Sequence, residues 1–252
     1  MNMSNSKTQA QQFLRRLQKA KSAVVLTGAG VSTDSGIPDF RGPSGLYSKI
    51  SQRTFEIDFF FDFPAEYYKI AIEHIYTLAD RQPNAAHFML SKLESLGMIQ
   101  AVITQNIDGL HQKAGSNNVI EFHGDVVRFR CTQCEKEFGR MFVDEQIRSK
   151  DTPLCDACGS LIRPCIVFFG DPIPMEALYD ARLLAQTADL FVAVGSSLEV
   201  NPAASLAVYA RQTGAELVII NRGTTALDAL ADWRIETDLK TFSERVLALL
   251  RA

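Results

Sequence analysis

AVVLTGAG (residues 23–30) is a run of apolar and β-branched side chains that stops at a glycine pair. A continuous apolar run leaves no face for water, so it reads as a strand covered on both sides, as in a parallel sheet. Four further runs have the same character: AVIT (101–104), VIEF (119–122), LFVAV (190–194) and LVII (217–220). Helical patterns fill the gaps between them. Phe13, Leu14 and Leu17 give an early apolar stripe, and Tyr68, Ile72, Ile75 and Ala79 recur at spacings of four, three and four behind Pro64, which suits a first helical turn. Asn84 is placed to cap a helix carrying Ala86, Leu90 and Leu93. Asn201-Pro202 opens another that reaches about Thr213 and stops at Gly214, and a last one starts near Thr241. Strand–helix alternation of this kind predicts an α/β fold with a doubly wound parallel sheet.

Composition limits the function. The 252 residues suit one or two domains, and 46% hydrophobic with 22% charged is ordinary globular usage rather than disorder. Lys plus Arg (26) against Asp plus Glu (29) leaves a net charge of −3, which argues against nucleic-acid binding as the main role. No apolar run reaches the roughly 18 residues that would span a membrane. The polar start, MNMSNSKTQAQQ, lacks the apolar centre of a secretory signal. The expected location is therefore the cytoplasm, with thiols reduced.

Two stretches break the strand–helix rhythm. Residues 32–63 hold Gly36, Pro38, Gly42, Pro43 and Gly45, too many breakers for one regular element, and a loop that long inside a compact domain usually serves function. Residues 128–163 are charge-rich, lack a long apolar run and read as a small insert domain. They carry Cys131-x-x-Cys134 and, after 20 residues, Cys155-x-x-Cys158. Each pair can clamp one edge of a tetrahedron, and four thiolates fill the shell of Zn²⁺ without an open position, so the expected metal is structural, with a redox dithiol as the minor alternative. The fifth cysteine, Cys165, reads as a buried small residue rather than a nucleophile.

In an open α/β sheet, ligands bind outside the carboxyl ends of the strands. The residues just past the five runs are Gly28-Ala29-Gly30, Gln105-Asn106-Ile107-Asp108, His123-Gly124, Gly195-Ser196-Ser197 and Asn221. Together they suggest a crevice of close backbone approach and hydrogen-bonding side chains. The glycine pair begins a G-x-G-x-x-G fingerprint but has Thr33 in the third position, and no acidic residue follows a second strand about 20 residues on, which argues against an ordinary dehydrogenase. The pair fits either a tight strand-to-helix turn or backbone N–H groups approaching a pyrophosphate. His123 fits a structural imidazole or a general base. His74 and His87 fall within helical patterns and read as structural, whereas His111 is open to either reading. Arg41 is a solvated loop charge or a guanidinium reaching phosphate, with Phe40 over an apolar ring face.

GAGVSTDSGIPDFRGPSGLY (28–47), TQNIDGLH (104–111), EFHG (121–124), the two C-x-x-C pairs, IVFFGD (166–171), GSSLEVNPAA (195–204) and Asn221-Arg222 occur in this order. With these motifs the chain resembles the sirtuins, NAD-dependent protein-lysine deacylases, and looks most like their compact bacterial and archaeal members, from about residue 15 to about residue 250. The resemblance implies a Rossmann-type NAD-binding domain (1–35, 64–127 and 164–252), a flexible cofactor-binding loop with the helical part of the small domain (36–63), and a zinc-ribbon module (128–163). By matching motif, Gly28, Ala29, Gly30, Thr33, Phe40, Arg41 and Gly195 would contact NAD. Gln105, Ile107 and Asp108 would surround the nicotinamide and its ribose, and Asn106 would order the ribose and a water. Ser196, Ser197 and Asn221 would hold the adenosine half, with Asp238 and Leu239 near the adenine. Val167 and Phe168 would flank the acyl-lysine, and segments 167–171 and 197–201, including Gly170, Leu198 and Val200, would pair with the peptide backbone.

The implied chemistry spends NAD as an activated sugar. The amide oxygen of acetyl-lysine attacks the anomeric carbon as nicotinamide leaves, with Asp108 accepting from the carboxamide. His123, neutral, then takes a proton from a ribose hydroxyl that attacks the imidate carbon. The products are nicotinamide, free lysine and O-acetyl-ADP-ribose. His123, Asn106 and Asp108 are thus the implied catalytic residues, acetyl-lysine proteins the partners, and a monomer the expected state. Members often carry Glu at the position of Asp171 and Asn or His at that of Cys165. Members that prefer succinyl or malonyl groups carry Tyr and Arg where this chain has Ala71 and His74, so neutral acyl groups are expected. The alternatives are mono-ADP-ribosyl transfer to protein and a non-catalytic NAD- or peptide-binding module.

Overall fold

The computed structural model describes residues 3–40, 42 and 45–251, so Arg41, expected to reach phosphate, lies outside the described residues. The chain runs α1 (Met3–Lys19), β1 (Ala23–Thr27), α2 (Ile57–Asp62), α3 (Pro64–His74), α4 (Ala85–Ser95), β2 (Ala101–Thr104), α5 (Leu110–Lys113), β3 (Val119–Glu121), β4 (Gly124–Cys131), β5 (Glu137–Gly139), α6 (Arg140–Lys150), β6 (Ile162–Ile166), α7 (Met175–Thr187), β7 (Leu190–Val194), α8 (Ala203–Gln212), β8 (Glu216–Asn221), β9 (Trp233–Glu236) and α9 (Leu239–Arg251).

Six strands form one sheet in the order β3-β2-β1-β7-β8-β9, every pairing parallel. Its two faces explain the continuous apolar runs. Alternate residues point opposite ways, so Val25, Val102, Val192, Val218 and Ile220 join α1, α4 and α9 in one core. Val24, Leu26, Ile103, Phe191, Leu217 and Ile219 join α7 and α8 in another. The chain leaves β1 toward β2 and later returns to its other side as β7, which puts the topological switch between the carboxyl ends of β1 and β7. The strand WRIE (β9) was not anticipated. It closes the sheet's edge and carries Arg234 and Glu236, so it lacks the apolar run of a central strand.

The smaller lobe is built on the antiparallel sheet β5-β4-β6. That sheet begins at Gly124 and ends at Ile166, so it is wider than the expected 128–163. The boundary expected at 64 also moves. Tyr67, Tyr68, Ala71, Ile75 and Tyr76 pack with Phe59, Phe60, Val126, Phe129, Ile162 and Phe168 in the small-lobe core, and the Tyr68 hydroxyl donates to the Ile162 carbonyl. The physical reason is the phase of α3. Pro64 stands in its first turn as expected. Its buried stripe, however, is 67, 68, 71 and 75, while Ile72 is 38% exposed, so the helix presents an aromatic face to the aromatic small lobe and not to the large sheet. Only from α4 does this stretch return to the large sheet's core. There Asn84 caps as expected: its side chain accepts the Ala86 N–H at 2.8 Å.

Candidate active site

The glycine loops after β1 and β7 meet at the switch. The Gly30 N–H donates to the Gly195 carbonyl at 2.8 Å, and the Gly28 N–H to that of Val194 at 3.2 Å. A methyl on Gly30 would stand 2.7 Å from the Gly195 oxygen, and one on Gly195 2.6 Å from the Val31 nitrogen. The glycines therefore serve a backbone-to-backbone contact, in which the Gly28 and Gly30 N–H groups themselves donate within the protein.

Around this contact the strand ends bring their side chains together. Gln105, after β2, donates from Nε2 to Ser196 Oγ at 2.9 Å, and Ser196 Oγ accepts the Leu198 N–H at 3.2 Å. Asn106 donates from Nδ2 to the Gly28 carbonyl at 3.2 Å and to Ser32 Oγ at 3.1 Å. Asp108 accepts the Leu110 N–H at 2.9 Å on one oxygen and the Ser32 hydroxyl at 2.7 Å on the other. Burial pushes the Asp108 carboxyl up, and these donors pull it part of the way back. Two accepted bonds leave lone pairs free for a further donor.

His123 stands in the turn between β3 and β4, with Nδ1 3.0 Å from the Gln105 carbonyl. A carbonyl only accepts, so Nδ1 carries the hydrogen and Nε2 keeps a bare lone pair. Burial pushes this imidazole below its usual value, with the Gln105 bond opposing, so it is neutral near pH 7. Its carbonyl accepts the Val167 N–H at 2.9 Å, which ties the imidazole's backbone to the small lobe. Gly124 makes that approach feasible. Its φ is +74°, and a Cβ there would sit 1.8 Å from the Cys165 carbonyl oxygen. Gly124→Ala is expected to cost at least about 1–3 kcal/mol through forced backbone displacement, read by denaturant unfolding, and to depress turnover because His123 moves with it.

Other expected contacts occupy neighbouring positions. Asn221, at the end of β8, donates to the Gly223 carbonyl, and Asp238 accepts the Thr241 N–H at the start of α9, which holds its carboxyl low. Leu239 starts α9 two residues earlier than expected and buries its side chain in the large core. Ala29 is half-buried beside the glycine contact, Thr33 is exposed with its hydroxyl on the Gly30 carbonyl, and Phe40 and Ile107 lean on the small-lobe core. Ser197 accepts the Ala226 N–H on its carbonyl.

The peptide-side segment departs from expectation at Phe168. That ring is 2% exposed and packs on Phe60 and Tyr67 in the small-lobe core, while Phe169 is 40% exposed. An extended chain alternates faces, so Val167 and Phe169 share the open side and Ile166 and Phe168 the buried one. Phe169 bonds Phe55 and Ile57 through its backbone, Gly170 adopts φ +95°, and Asp171 is ion-paired to Arg163 while accepting the Phe168 N–H at 3.1 Å. Across the switch, Leu198 is buried at φ +55° and Val200 is half-buried.

Sequence reasoning missed Ser32, which joins Asn106 to Asp108. It sits in a short 3-10 helix, Ala29–Ser35, at the start of a breaker-rich stretch without periodicity, so only its hydroxyl marked it. His111, left open, is buried with Nε2 3.0 Å from Thr27 Oγ1, and burial pushes it down to about 3.

The four paired cysteines place their sulfurs within 4.8 Å of one another. Cys131 to Cys158 is 3.4 Å and Cys134 to Cys155 3.6 Å, far beyond a disulfide bond and near the edge, about 3.8 Å, of a tetrahedron with Zn–S about 2.3 Å. The N–H groups of Gln133 and Cys134 point at Cys131 Sγ from 3.4 and 3.5 Å, as suits a thiolate. The donor set fits a structural zinc ion.

Comparison with known proteins places this arrangement. A family model described as the Sir2 family matches residues 28–202. The chain belongs to the Sir2 family. It is 50% identical over 236 residues to the NAD-dependent protein deacetylase of Thermotoga maritima, covering 94% of this chain and 96% of that one. It is 42% identical over 235 residues to NAD-dependent protein deacetylase 1 of Pyrobaculum aerophilum, covering 93% and 92%. Among solved Sir2 structures, one with a p53 peptide and NAD+ superposes at TM-score 0.91 with 48% identity, covering 95% of this chain and 98% of that chain. One with a deacetylated p53 peptide and 3′-O-acetyl ADP-ribose superposes at 0.92, again with 48% identity, covering 95% and 97%.

Proposed function

We propose that this Sir2 chain is an NAD-dependent protein-lysine deacetylase that yields nicotinamide, free lysine and O-acetyl-ADP-ribose, a transfer of the acyl group to ADP-ribose. The observation that carries the reading is the neutral His123, its Nδ1–H held by Gln105 and its Nε2 lone pair left for a proton, at the same crevice as Asn106 and Asp108. NAD supplies an electrophilic sugar with a cationic leaving group. The rest is done by the chain. Asp108 retains acceptor capacity for a carboxamide N–H, Asn106 orders the ribose side, and His123 accepts the ribose hydroxyl proton. The large lobe holds NAD across the carboxyl ends of the sheet, with Ser196, Ser197, Asn221 and Asp238 on the adenosine side. Segments 167–171 and 197–201 pair with the peptide backbone, and Val167 with Phe169, rather than Phe168, lines the acyl-lysine path. Zinc, held by Cys131, Cys134, Cys155 and Cys158, is structural. Reduced thiols in that role suit the cytoplasm.

The deciding experiment incubates the protein with an acetylated peptide, with and without NAD, and follows peptide, nicotinamide and acyl-ADP-ribose by mass spectrometry. NAD-dependent, equimolar appearance of the three products is the expected result. Label from NAD left on protein would instead favour ADP-ribosyl transfer, and NAD binding with no turnover a binding module.

Acyl choice gives a second expectation. Ala71 is buried in the small-lobe core and His74 stands a turn away, so neither supplies the guanidinium that would pair with an acidic acyl group. Succinyl-peptide turnover should fall well below acetyl-peptide turnover in parallel kcat/KM measurements, and equal rates would remove the argument.

A further inference from the structure

Behind Asn106 and Asp108 lies a side chain that the proposed chemistry does not touch. His87 is the third residue of α4 and has no solvent exposure. Its two nitrogens face different partners. The Asn84 N–H points at Nδ1 from 3.2 Å, the return half of the helix capping box. An amide N–H can only donate, so Nδ1 holds a lone pair and the ring hydrogen is on Nε2. Burial pushes this imidazole down to about 4, so the tautomer persists at neutral pH. The neighbouring His111 ring, 4.9 Å away, is pushed down to about 3 and adds no charge.

Nε2 faces Ser32 Oγ at 3.4 Å. The second donor to that oxygen is Asn106 Nδ2 at 3.1 Å, and its orientation is fixed because the same nitrogen also faces the Gly28 carbonyl at 3.2 Å. With both lone pairs of the Ser32 oxygen engaged, its hydrogen has one outlet, Asp108 Oδ2 at 2.7 Å. Every link in the series Asn84 N–H, His87, Ser32, Asp108 therefore runs in one direction. A helix cap alone accounts for Nδ1 but leaves Nε2 and its alignment on Ser32 without a role.

We infer that His87 is a positioning residue for the NAD-side chemistry: it sets the Ser32 hydroxyl as a one-way donor to Asp108 and so holds the Asp108 carboxylate and the Asn106 amide in register. The inference rests on the deacetylase reading, because that reaction is what requires the pair to be aligned.

The test separates capping from positioning. His87→Asn keeps an acceptor at the Nδ1 position for the cap and loses the reach to Ser32. His87→Gln keeps an acceptor and a donor on opposite sides of one amide, and Gln is a normal third residue of a capping box. Steady-state kinetics with acetyl-peptide and NAD are normalised to the folded fraction from thermal melts. Expected is a loss of about tenfold in kcat/KM for NAD with H87N, short of the about 10²-fold that a full 1 Å misplacement can cost. The KM for peptide should be unchanged, and H87Q should recover activity to within about twofold. In a double-mutant cycle, H87N added to Ser32→Ala should bring no further loss, because both act through one hydroxyl. Multiplying losses in the cycle, or full activity per folded molecule in H87N, would overturn the inference. If the unsubstituted protein itself releases no nicotinamide with acetyl-peptide, it is the deacetylase reading that fails.

Discussion

His123→Ala is expected to lower kcat/KM for an acetylated peptide by roughly 10²–10⁴-fold, the usual worth of a positioned general base. Two features of the site make the effect large. The hydrogen bond from Nδ1 to the Gln105 carbonyl fixes the tautomer, so the whole population presents Nε2 as the acceptor. Burial lowers the imidazole's pKa, so the base form dominates at neutral pH without a carboxylate partner. These two features also set the sign of the pH dependence. Activity needs the unprotonated ring, so kcat/KM should rise with pH through an apparent pKa below the ordinary value of about 6.5 and then level off. His123→Ala should lose that acidic limb along with the rate. Nicotinamide release in single turnover should survive better than deacetylation, because His123 acts after the glycosidic bond has broken. Equal loss of both steps, or a pH profile unchanged by the substitution, would remove the imidazole from this role.

Why the large lobe was legible while the small lobe was less so is itself a physical matter. A strand buried on both faces cannot hide, and AVVLT, AVIT and LFVAV begin and end where their apolar runs do. The crevice was legible for a related reason: parallel strands deliver the residues at their carboxyl ends to one place, so Asn106, His123 and Ser196 stood out as candidates by position, while their roles came only from the motif resemblance. The small lobe obeys other rules. Its core joins residues 46–76 to 126–168, which are far apart in sequence, and its helices are short, so a shift of one residue in phase sent Tyr67 and Tyr68 to the small lobe instead of the large sheet. The alternation of faces likewise buries Phe168 in this core and leaves Phe169 exposed, a phase that the apolar run IVFF does not reveal. The link between Ser32 and His87 was invisible for a third reason. Its significance lies in hydrogen-bond direction, which depends on distances between a loop, a helix cap and a strand end.

Removing zinc should do more than open a ribbon. The small sheet is short, with β5 only three residues long, and the cysteines stand where its strands would otherwise fray: Cys131 ends β4, and Cys155 and Cys158 precede β6. Cys131 and Cys155 are buried in the small-lobe core, so losing the metal leaves uncompensated sulfurs inside it as well as free strand ends. Structural zinc contributes about 10–16 kcal/mol in finger peptides, which rivals the whole margin of about 5–15 kcal/mol that holds a domain folded. The consequence reaches the chemistry because β4 starts at Gly124, directly after His123, and β6 runs straight into the Val167 that bonds the His123 carbonyl. Cys155→Ser, or exhaustive chelation, is therefore expected to abolish bound zinc, lower the melting temperature and eliminate peptide turnover together. The parallel sheet, whose two cores contain no cysteine, should keep its far-ultraviolet signal. Cys165→Ser is the control, expected to retain full metal content because Cys165 stands outside the cluster. Zinc returned to the chelated protein should restore melting and turnover in step. A metal-free protein that melts and turns over like the loaded one would show that the hairpin ends need no clamp and that His123 is held by the glycine contact alone.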